Sequence, residues 1–341
     1  MSGSSLDGLD IAIVDFGIDG GWKLEFHQTI PYSTDWIKRL QNFTHLPARE
    51  YIKLKFDYSN LVANTFKSLN LHVDYISSHG HTLVHEPENG ITEQIGNGGI
   101  IAGITAIPTM ADFRTIDLGF GGVGTPLAPL ADLSAFPGYN YYLNLGGIAN
   151  ITVLDNNQLT AFDIAPCNQV FNFLSSKIGL EYDDKGLVAS RGNYLQNLEH
   201  EFSNYSYFTQ KGPKSLDNGW IKNVFLDHFK DVNPQDGMHT YSKWLSKEIV
   251  KNLKFKSGSK MLITGGGAHN DYLIRNIESE LSGKDVEIII PQKEIINFKE
   301  AILMAFLGYY YLNDKPNVFK AVTGSDRDHI GGALYKITPK K

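Results

Sequence analysis

The sequence predicts an α/β protein of two lobes around one cleft, and three observations carry that expectation. Two similar runs of strand, glycine turn, strand, tight turn and strand occur, one at the start of the chain and one from residue 139. Elsewhere strands alternate with amphipathic helices, the signature of α/β architecture. With 341 residues, 42% apolar and 20% charged, the chain is long enough for two cores. A boundary is expected near residue 135, giving lobes of 1–135 and 136–341, with the last residues free to cross back to the first lobe.

The first unit opens with the small-residue turn Met1-Ser-Gly-Ser-Ser-Leu-Asp-Gly8, followed by a strand over 9–16, a turn over 17–21 and a strand over 22–30. A Gly/Ser turn can present backbone N–H groups and hydroxyls to an anion with no Cβ in the way. The second unit runs as a strand over 139–145, the turn at Gly146 and Gly147, a strand over 151–154, a turn over 155–157 and a strand over 158–164. An apolar strand precedes the second glycine turn, whereas only Met1 precedes Ser2 and Gly3. The comparison predicts a further strand upstream of Met1.

Residues 48–71 place Tyr51, Leu54, Tyr58, Leu61, Val62, Phe66 and Leu69 at helical spacing. A strand over 73–77 follows, ending in Ser78, His79, Gly80 and His81, then an apolar stretch over 99–104 and a further element over 107–112. Strands that end in polar residues are where α/β sites form. Beyond the second unit come a helix from near Asn168, a polar stretch over 182–223, a helix over 240–252, a strand over 261–263, a strand over 286–291 and a helix over 297–312.

Net charge is −6 and no long run of Lys or Arg occurs, which argues against a nucleic-acid or anionic-membrane partner and for small molecules. The single Cys167 cannot form an internal disulfide, and no basic segment followed by an apolar core opens the chain. The longest apolar run, 301–312, is shorter than the roughly 20 residues of a bilayer span. A reducing cytoplasm is the expected location; whether the chain is a monomer or a homodimer is left open.

Gly119, Gly121 and Gly124 match GxGxxG, but Pro126 and Pro129 stand where a helix should continue, so a Rossmann site is not expected, and no P-loop is present. His79, His81 and His85 could bring imidazoles together as metal ligands, yet nothing nearby completes a set; structural or substrate-contacting roles are expected. Asp112, Arg114 and Asp117 are either a solvated loop or a grip on a sugar acid's carboxylate. Asp163 lies just before a helix, as a cap or as a general base. Gly265, Gly266 and Gly267 allow close backbone approach, as a plain turn or as a seat for phosphate or adenosine.

Two duplicated units and a later triple-glycine turn together resemble the layout of the actin-like ATPase and sugar-kinase superfamily, a ribonuclease H-like fold with a nucleotide cleft between lobes. At family level the runs Met1-Ser-Gly-Ser-Ser-Leu-Asp-Gly-Leu-Asp10, Ser78-His-Gly-His-Thr82, Gln94-Ile-Gly96, Ala111-Asp-Phe-Arg114, Asn144-Leu-Gly-Gly-Ile-Ala-Asn-Ile-Thr152, Gly212-Pro-Lys-Ser215, Gln235-Asp-Gly237, Gly265-Gly-Gly-Ala-His-Asn270 and Glu300-Ala301 resemble anhydro-N-acetylmuramic acid kinases. The resemblance implies an enzyme of peptidoglycan recycling that uses ATP and water to open 1,6-anhydro-N-acetylmuramic acid, giving N-acetylmuramate 6-phosphate and ADP.

On that resemblance Gly3, Ser4, Ser5, Leu6, Asp7, Gly8, Leu9 and Asp10 cradle the ATP phosphates, with Asp7 or Asp10 holding Mg²⁺ through water and no direct protein ligand. Gly146, Gly147, Gly265, Gly266 and Gly267 supply further contacts to phosphate and adenosine. Asp163 is the general base, and His79, Arg114, Asn168 and Glu300 position the sugar. Where many relatives read Asp-Thr-Gly-Pro-Gly-Asn, this chain has Ala165 and Cys167 in place of the two glycines. The competing expectations are a non-catalytic nucleotide-binding member of the superfamily and a kinase for a different anhydro-sugar.

Overall fold

The computed structural model describes residues 1–3, 6–156, 158–210 and 214–338. Its strands in chain order are β1 (Gly8–Phe16), β2 (Trp22–Pro31), β3 (Ile76–Ser77), β4 (His81–Glu86), β5 (Ile91–Ile95), β6 (Thr109–Ala111), β7 (Tyr141–Leu145), β8 (Ile148–Asp155), β9 (Gln158–Pro166), β10 (Ser259–Thr264), β11 (Val286–Ile289) and β12 (Ala333–Tyr335). The chain is mixed α/β and divides into two compact units: Met1–Pro137 with Phe298–Lys341, and Gly138–Asn297. No helix among the described residues is long and apolar enough to cross a membrane.

The Gly138–Asn297 unit holds one five-stranded sheet in the order β11-β10-β7-β8-β9. β7, β8 and β9 run up and down, while β10 lies parallel to β7 and β11 parallel to β10. Tyr141, Tyr142, Leu143 and Leu145 of β7 are all buried, the apolar pattern of a central strand covered on both faces, broken only by Asn144 near its end. β8 starts at Ile148 rather than at the expected 151, because Gly146 and Gly147 complete the turn alone. The helix Pro234–Lys251 begins six residues before the expected 240: Asn233 caps it by accepting from the N–H groups of Gln235 and Asp236, and Pro234 takes the first helical position. It buries Tyr241, Trp244, Leu245 and Ile249 in one core with Leu143, Ile151, Phe202 and Phe229. At roughly 1.5–3 kcal/mol for each large apolar side chain removed from water, this cluster is the main source of the unit's stability.

β8 and β9 slip register at one point. Ala149 faces Ala165, but Asn150 faces Asp163, so Ile164 is an extra residue with no partner across the ladder. Such a bulge re-aims a side chain. Here Ile164 and Ala165 are both fully buried while Asp163 stays half-exposed.

In the other unit β1 and β2 form an antiparallel hairpin, β4 and β5 a second, and β3, β6 and β12 a three-stranded sheet. The expected strand over 73–77 contracts to Ile76–Ser77, the stretch that pairs with β6. The apolar stretch near 99–104 is the helix Gly98–Thr105, started by the Asn97 side chain accepting from the Ile100 N–H. The helix Ala48–Ser68 buries Leu54, Tyr58 and Val62, one face at a spacing of four. These pack with Leu9, Ile95 and Ile101.

The buried Tyr58 hydroxyl needs a partner, and the solution ties down the chain start. Tyr58 Oη lies 2.8 Å from Tyr32 Oη, which donates to Ser2 Oγ at 2.7 Å; Ser2 Oγ lies 3.0 Å from His81 Nδ1. Met1 and Asp10 exchange backbone hydrogen bonds at 2.8 Å, and Ser2 bridges His81 in parallel sense. The residues before the first turn are therefore held from both sides. Ser4 and Ser5, and Gly212 and Pro213 of the later run, lie outside the described residues.

Candidate active site

In the Met1–Pro137 and Phe298–Lys341 unit, the first turn re-enters β1 through Leu6, whose φ of 57° is left-handed, and Gly8, where a Cβ would sit 2.4 Å from the Ile30 carbonyl oxygen. Asp7 Oδ1 accepts the Gly8 N–H at 3.0 Å. Asp10 Oδ1 accepts the Thr29 hydroxyl at 2.5 Å. Burial raises the Asp10 carboxyl above the ordinary aspartate range, and the Thr29 bond opposes that shift. Carboxylate oxygens on Asp7 and Asp10 are the hard donors that suit Mg²⁺.

Three further groups of this unit act on one another electrostatically. Burial lowers Arg114 to about 10, with the Glu300 charge pulling the other way. Burial also raises the Glu300 carboxyl, with the Asp10 charge adding, although the side chain keeps contact with solvent. His79 is 5% exposed and held down to about 3, by burial first and by Arg114 second, so it stays neutral. Arg114 Nε and His79 Nε2 are both buried with no hydrogen-bond partner among the described residues. Orphaned buried polar atoms are costly, and a bound ligand is one way to satisfy them.

Asp112 and Asp117 do not flank Arg114 as ion partners. Asp112 accepts from Thr115, and the buried Asp117 accepts from the Gly124 N–H at 2.6 Å and from Thr323 at 2.7 Å. The three histidines have separate partners: His81 meets Ser2, His85 lies between Thr92 and Thr125, and His79 points Nδ1 at the Gly80 carbonyl. Among the described residues no group of three or more His, Cys, Asp or Glu is placed to hold a metal.

In the Gly138–Asn297 unit the two glycine turns follow neighbouring parallel strands, since Thr264 at the end of β10 faces Asn144 near the end of β7. The carboxyl ends of parallel strands are where α/β proteins bind ligands. Gly265 has a φ of +83°, and a Cβ there would lie 2.7 Å from both Asn144 Oδ1 and the Leu145 carbonyl carbon. A Cβ on Gly267 would meet Leu145 Cβ at 2.7 Å and Asn168 Oδ1 at 3.1 Å. Asn168 locks the arrangement, its N–H donating to the Gly146 carbonyl at 3.0 Å and its Nδ2 to the Leu145 carbonyl at 3.0 Å. Gly146, Gly147, Gly265, Gly266, Gly267 and Asn168 are thus one structure.

Asp163 does not cap the helix Asn168–Ser176; Cys167 occupies that position without a side-chain cap. Ala165 pairs within the β8–β9 ladder, and Cys167 has a negative φ of −129°. Burial pushes the Cys167 thiol up to about 12, leaving it inert. Asp163 Oδ2 accepts the Leu216 N–H at 2.9 Å and the Ser215 hydroxyl at 3.2 Å. Burial raises the carboxyl, and these two bonds pull it back. A half-exposed carboxylate held above its usual range is a stronger proton acceptor than an ordinary aspartate.

The anhydro-N-acetylmuramic acid kinase family model matches residues 1–337. The chain belongs to this family. Peptidoglycan recycling is the family's known role. The chain is 30% identical to the anhydro-N-acetylmuramic acid kinase of Hydrogenovibrio crunogenus, with 98% of this chain and 96% of that protein covered. It is 31% identical to the one from Legionella pneumophila strain Lens, covering 99% and 97%. Among solved structures, a ROK family glucokinase from Streptomyces griseus in complex with glucose and AMPPNP is 11% identical over 87% of this chain and 98% of that one, with a TM-score of 0.40. That last likeness is loose and adds nothing to the strand order.

Within this family framework, Tyr207 and Leu216 gave no signal in the sequence, although both bond Asp163. Ser215 stood in a family-like run, but its part beside Asp163 emerges only from the fold.

Proposed function

We propose that this kinase acts on 1,6-anhydro-N-acetylmuramic acid with ATP as phosphoryl donor, and that Asp163 is the general base. Water attacks the anomeric carbon, Asp163 takes a proton from that water, and the bond from the anomeric carbon to the bridging oxygen breaks. The released 6-oxygen accepts the γ-phosphoryl group, giving N-acetylmuramate 6-phosphate and ADP, and the proton on Asp163 passes to solvent. Arg114 and His79, each with an orphaned nitrogen, and the neighbouring Glu300 bind the sugar, with the guanidinium on the lactyl carboxylate. The residue 3–10 turn and the glycines at 146, 147 and 265–267 receive the nucleotide, and Asn168 braces the latter set. Asp7 or Asp10 would hold Mg²⁺ through water, and the ion would supply charge neutralisation on the transferring phosphates. A cytoplasmic location belongs to the same reading, since ATP is consumed there.

The observation that carries the assignment of the base is the Asp163 carboxylate, half-exposed and raised above its ordinary range. The test is mass spectrometry of 1,6-anhydro-N-acetylmuramic acid after incubation with the protein, ATP and Mg²⁺. A product heavier by one water and one phosphoryl group supports the reading; unchanged sugar refutes it. Asp163→Asn should retain ATP binding and lose turnover by about 10²–10⁴-fold.

A further inference from the structure

Asp163 has four polar atoms capable of hydrogen bonding, counting Oδ1, and the other three are engaged by Tyr207 and residues 214–216. Its N–H donates to the Lys214 carbonyl at 2.9 Å, its carbonyl accepts the Tyr207 hydroxyl at 2.7 Å, and Oδ2 accepts from both Ser215 and Leu216. Lys214 in turn donates Nζ to the carbonyls of Tyr207 and Gln210 and lies 4.5 Å from the centroid of the Tyr207 ring. Among the described residues Oδ1 has no hydrogen-bond partner.

We infer that this stretch is a clamp that fixes the carboxylate through Oδ2, so that Oδ1 is the oxygen that receives the proton from water, and that Ser215 is a positioning residue for it. The inference rests on Asp163 being the base. A carboxylate free to rotate about its Cβ–Cγ bond presents either oxygen in any direction, and a loss of alignment with the attacking water is costly to rate. Two donors on one oxygen, one of them a backbone N–H, stop that rotation. The bulge at Ile164 sets which way the side chain leaves the strand, and the clamp sets which oxygen leads.

The clamp has a chemical consequence besides alignment. Hydrogen bonds to the ionised form stabilise it, so the Ser215 hydroxyl makes the carboxylate easier to keep deprotonated against the effect of burial. Ser215 is exposed, so removing its hydroxyl opens no core cavity.

The test compares the parent chain, Ser215→Ala, Ser215→Thr and Asp163→Asn by kcat across pH, KM for ATP and Tm. Ser215→Ala should raise the acid limb of kcat by about half to one pH unit, lower the plateau, leave KM for ATP unchanged and keep Tm within about 2 °C of the parent. Ser215→Thr, which keeps the hydroxyl, should restore the limb. An unmoved limb in Ser215→Ala, or a uniform loss at every pH that threonine does not rescue, overturns the clamp. Ordinary turnover by Asp163→Asn overturns the assignment of the base instead, so the two failures are distinguishable.

Discussion

The Lys299 ammonium lies 2.5 Å from the Asp132 carboxylate, with the two side chains only 11% and 5% exposed. Lys299 precedes Glu300 on the helix Lys293–Leu312, so an ion pair nearly out of water anchors the turn of helix that carries a proposed substrate group.

Removing one partner of such a pair leaves a buried charge and costs about 3–5 kcal/mol. Lys299→Ala should therefore lower Tm by roughly 10 °C, whereas Lys299→Met with Asp132→Leu should lose much less. Burial raises the Asp132 carboxyl and Lys299 opposes that rise. Without Lys299 the folded-state value climbs further above the unfolded one, so the penalty grows as pH rises through that window. The deficit of Lys299→Ala should narrow on going from pH 8 to pH 5, measured by thermal unfolding; a deficit independent of pH would show that Asp132 is not the charge left behind.

Arg114 offers a separate test, on specificity. Its Nε is buried without a partner among the described residues, and a lactyl carboxylate would satisfy it by a charge-assisted hydrogen bond. Arg114→Ala should raise KM for the muramic substrate by roughly 10- to 100-fold, with KM for ATP unchanged. The same variant should treat an anhydro-sugar lacking the lactyl group as the parent does. Steady-state kinetics on both sugars decides it, and equal losses on the two would remove the carboxylate from Arg114.

What could be read from the sequence follows from where the information lies. β7, β8 and β9 were legible because an apolar run, a glycine pair and an Asp-Asn turn are local signals, and the helix Ala48–Ser68 because its buried residues recur at a spacing of four. The stretch near 99–104 was not, since a short all-apolar run has no period to read, and only the Asn97 cap makes it a helix. Asp163 and Arg114 stood out by their places at strand ends, with alternatives that the family resemblance narrowed, whereas Glu300 came from the resemblance alone. The partners of Asp163 were invisible for another reason: Tyr207 and Ser215 stand 44 and 52 positions away along the chain and meet it only through folding. The shift in register at Ile164 is equally hidden, because nothing in an alternating pattern marks which residue the partner strand skips.

Gly265 should be intolerant of any side chain. Its φ of +83° is strained for other residues, and a Cβ would press at 2.7 Å on the Asn144 side-chain oxygen and on the Leu145 backbone, the second of which cannot swing aside. Gly265→Ala should destabilise the chain by about 1–3 kcal/mol. It should also reduce the rise in Tm that ATP and Mg²⁺ give the parent, because the turn must move away from the end of β7. Gly283, whose φ is +78° with nothing within 4 Å of a Cβ, serves as the control: Gly283→Ala should share the backbone strain but keep the full response to nucleotide. If both variants respond alike, the triple-glycine turn is a structural turn only.

The pH dependence of turnover separates two residues that a mutation alone would confuse. Asp163 is raised above the ordinary aspartate range by burial, and it works as a base only when deprotonated. Activity should be absent below its pKa and rise with pH through it. His79 is held down to about 3, so it is neutral throughout the working range and changes charge nowhere near the ordinary histidine value. The profile of kcat should therefore show an acid limb of slope one that belongs to the carboxylate, with no further inflection between pH 6 and 7. His79→Asn, which cannot titrate, should weaken sugar binding while leaving the position of that limb where it is in the parent. Loss of a limb near pH 6.5 in His79→Asn would make the histidine, and not Asp163, the group whose proton state controls the reaction.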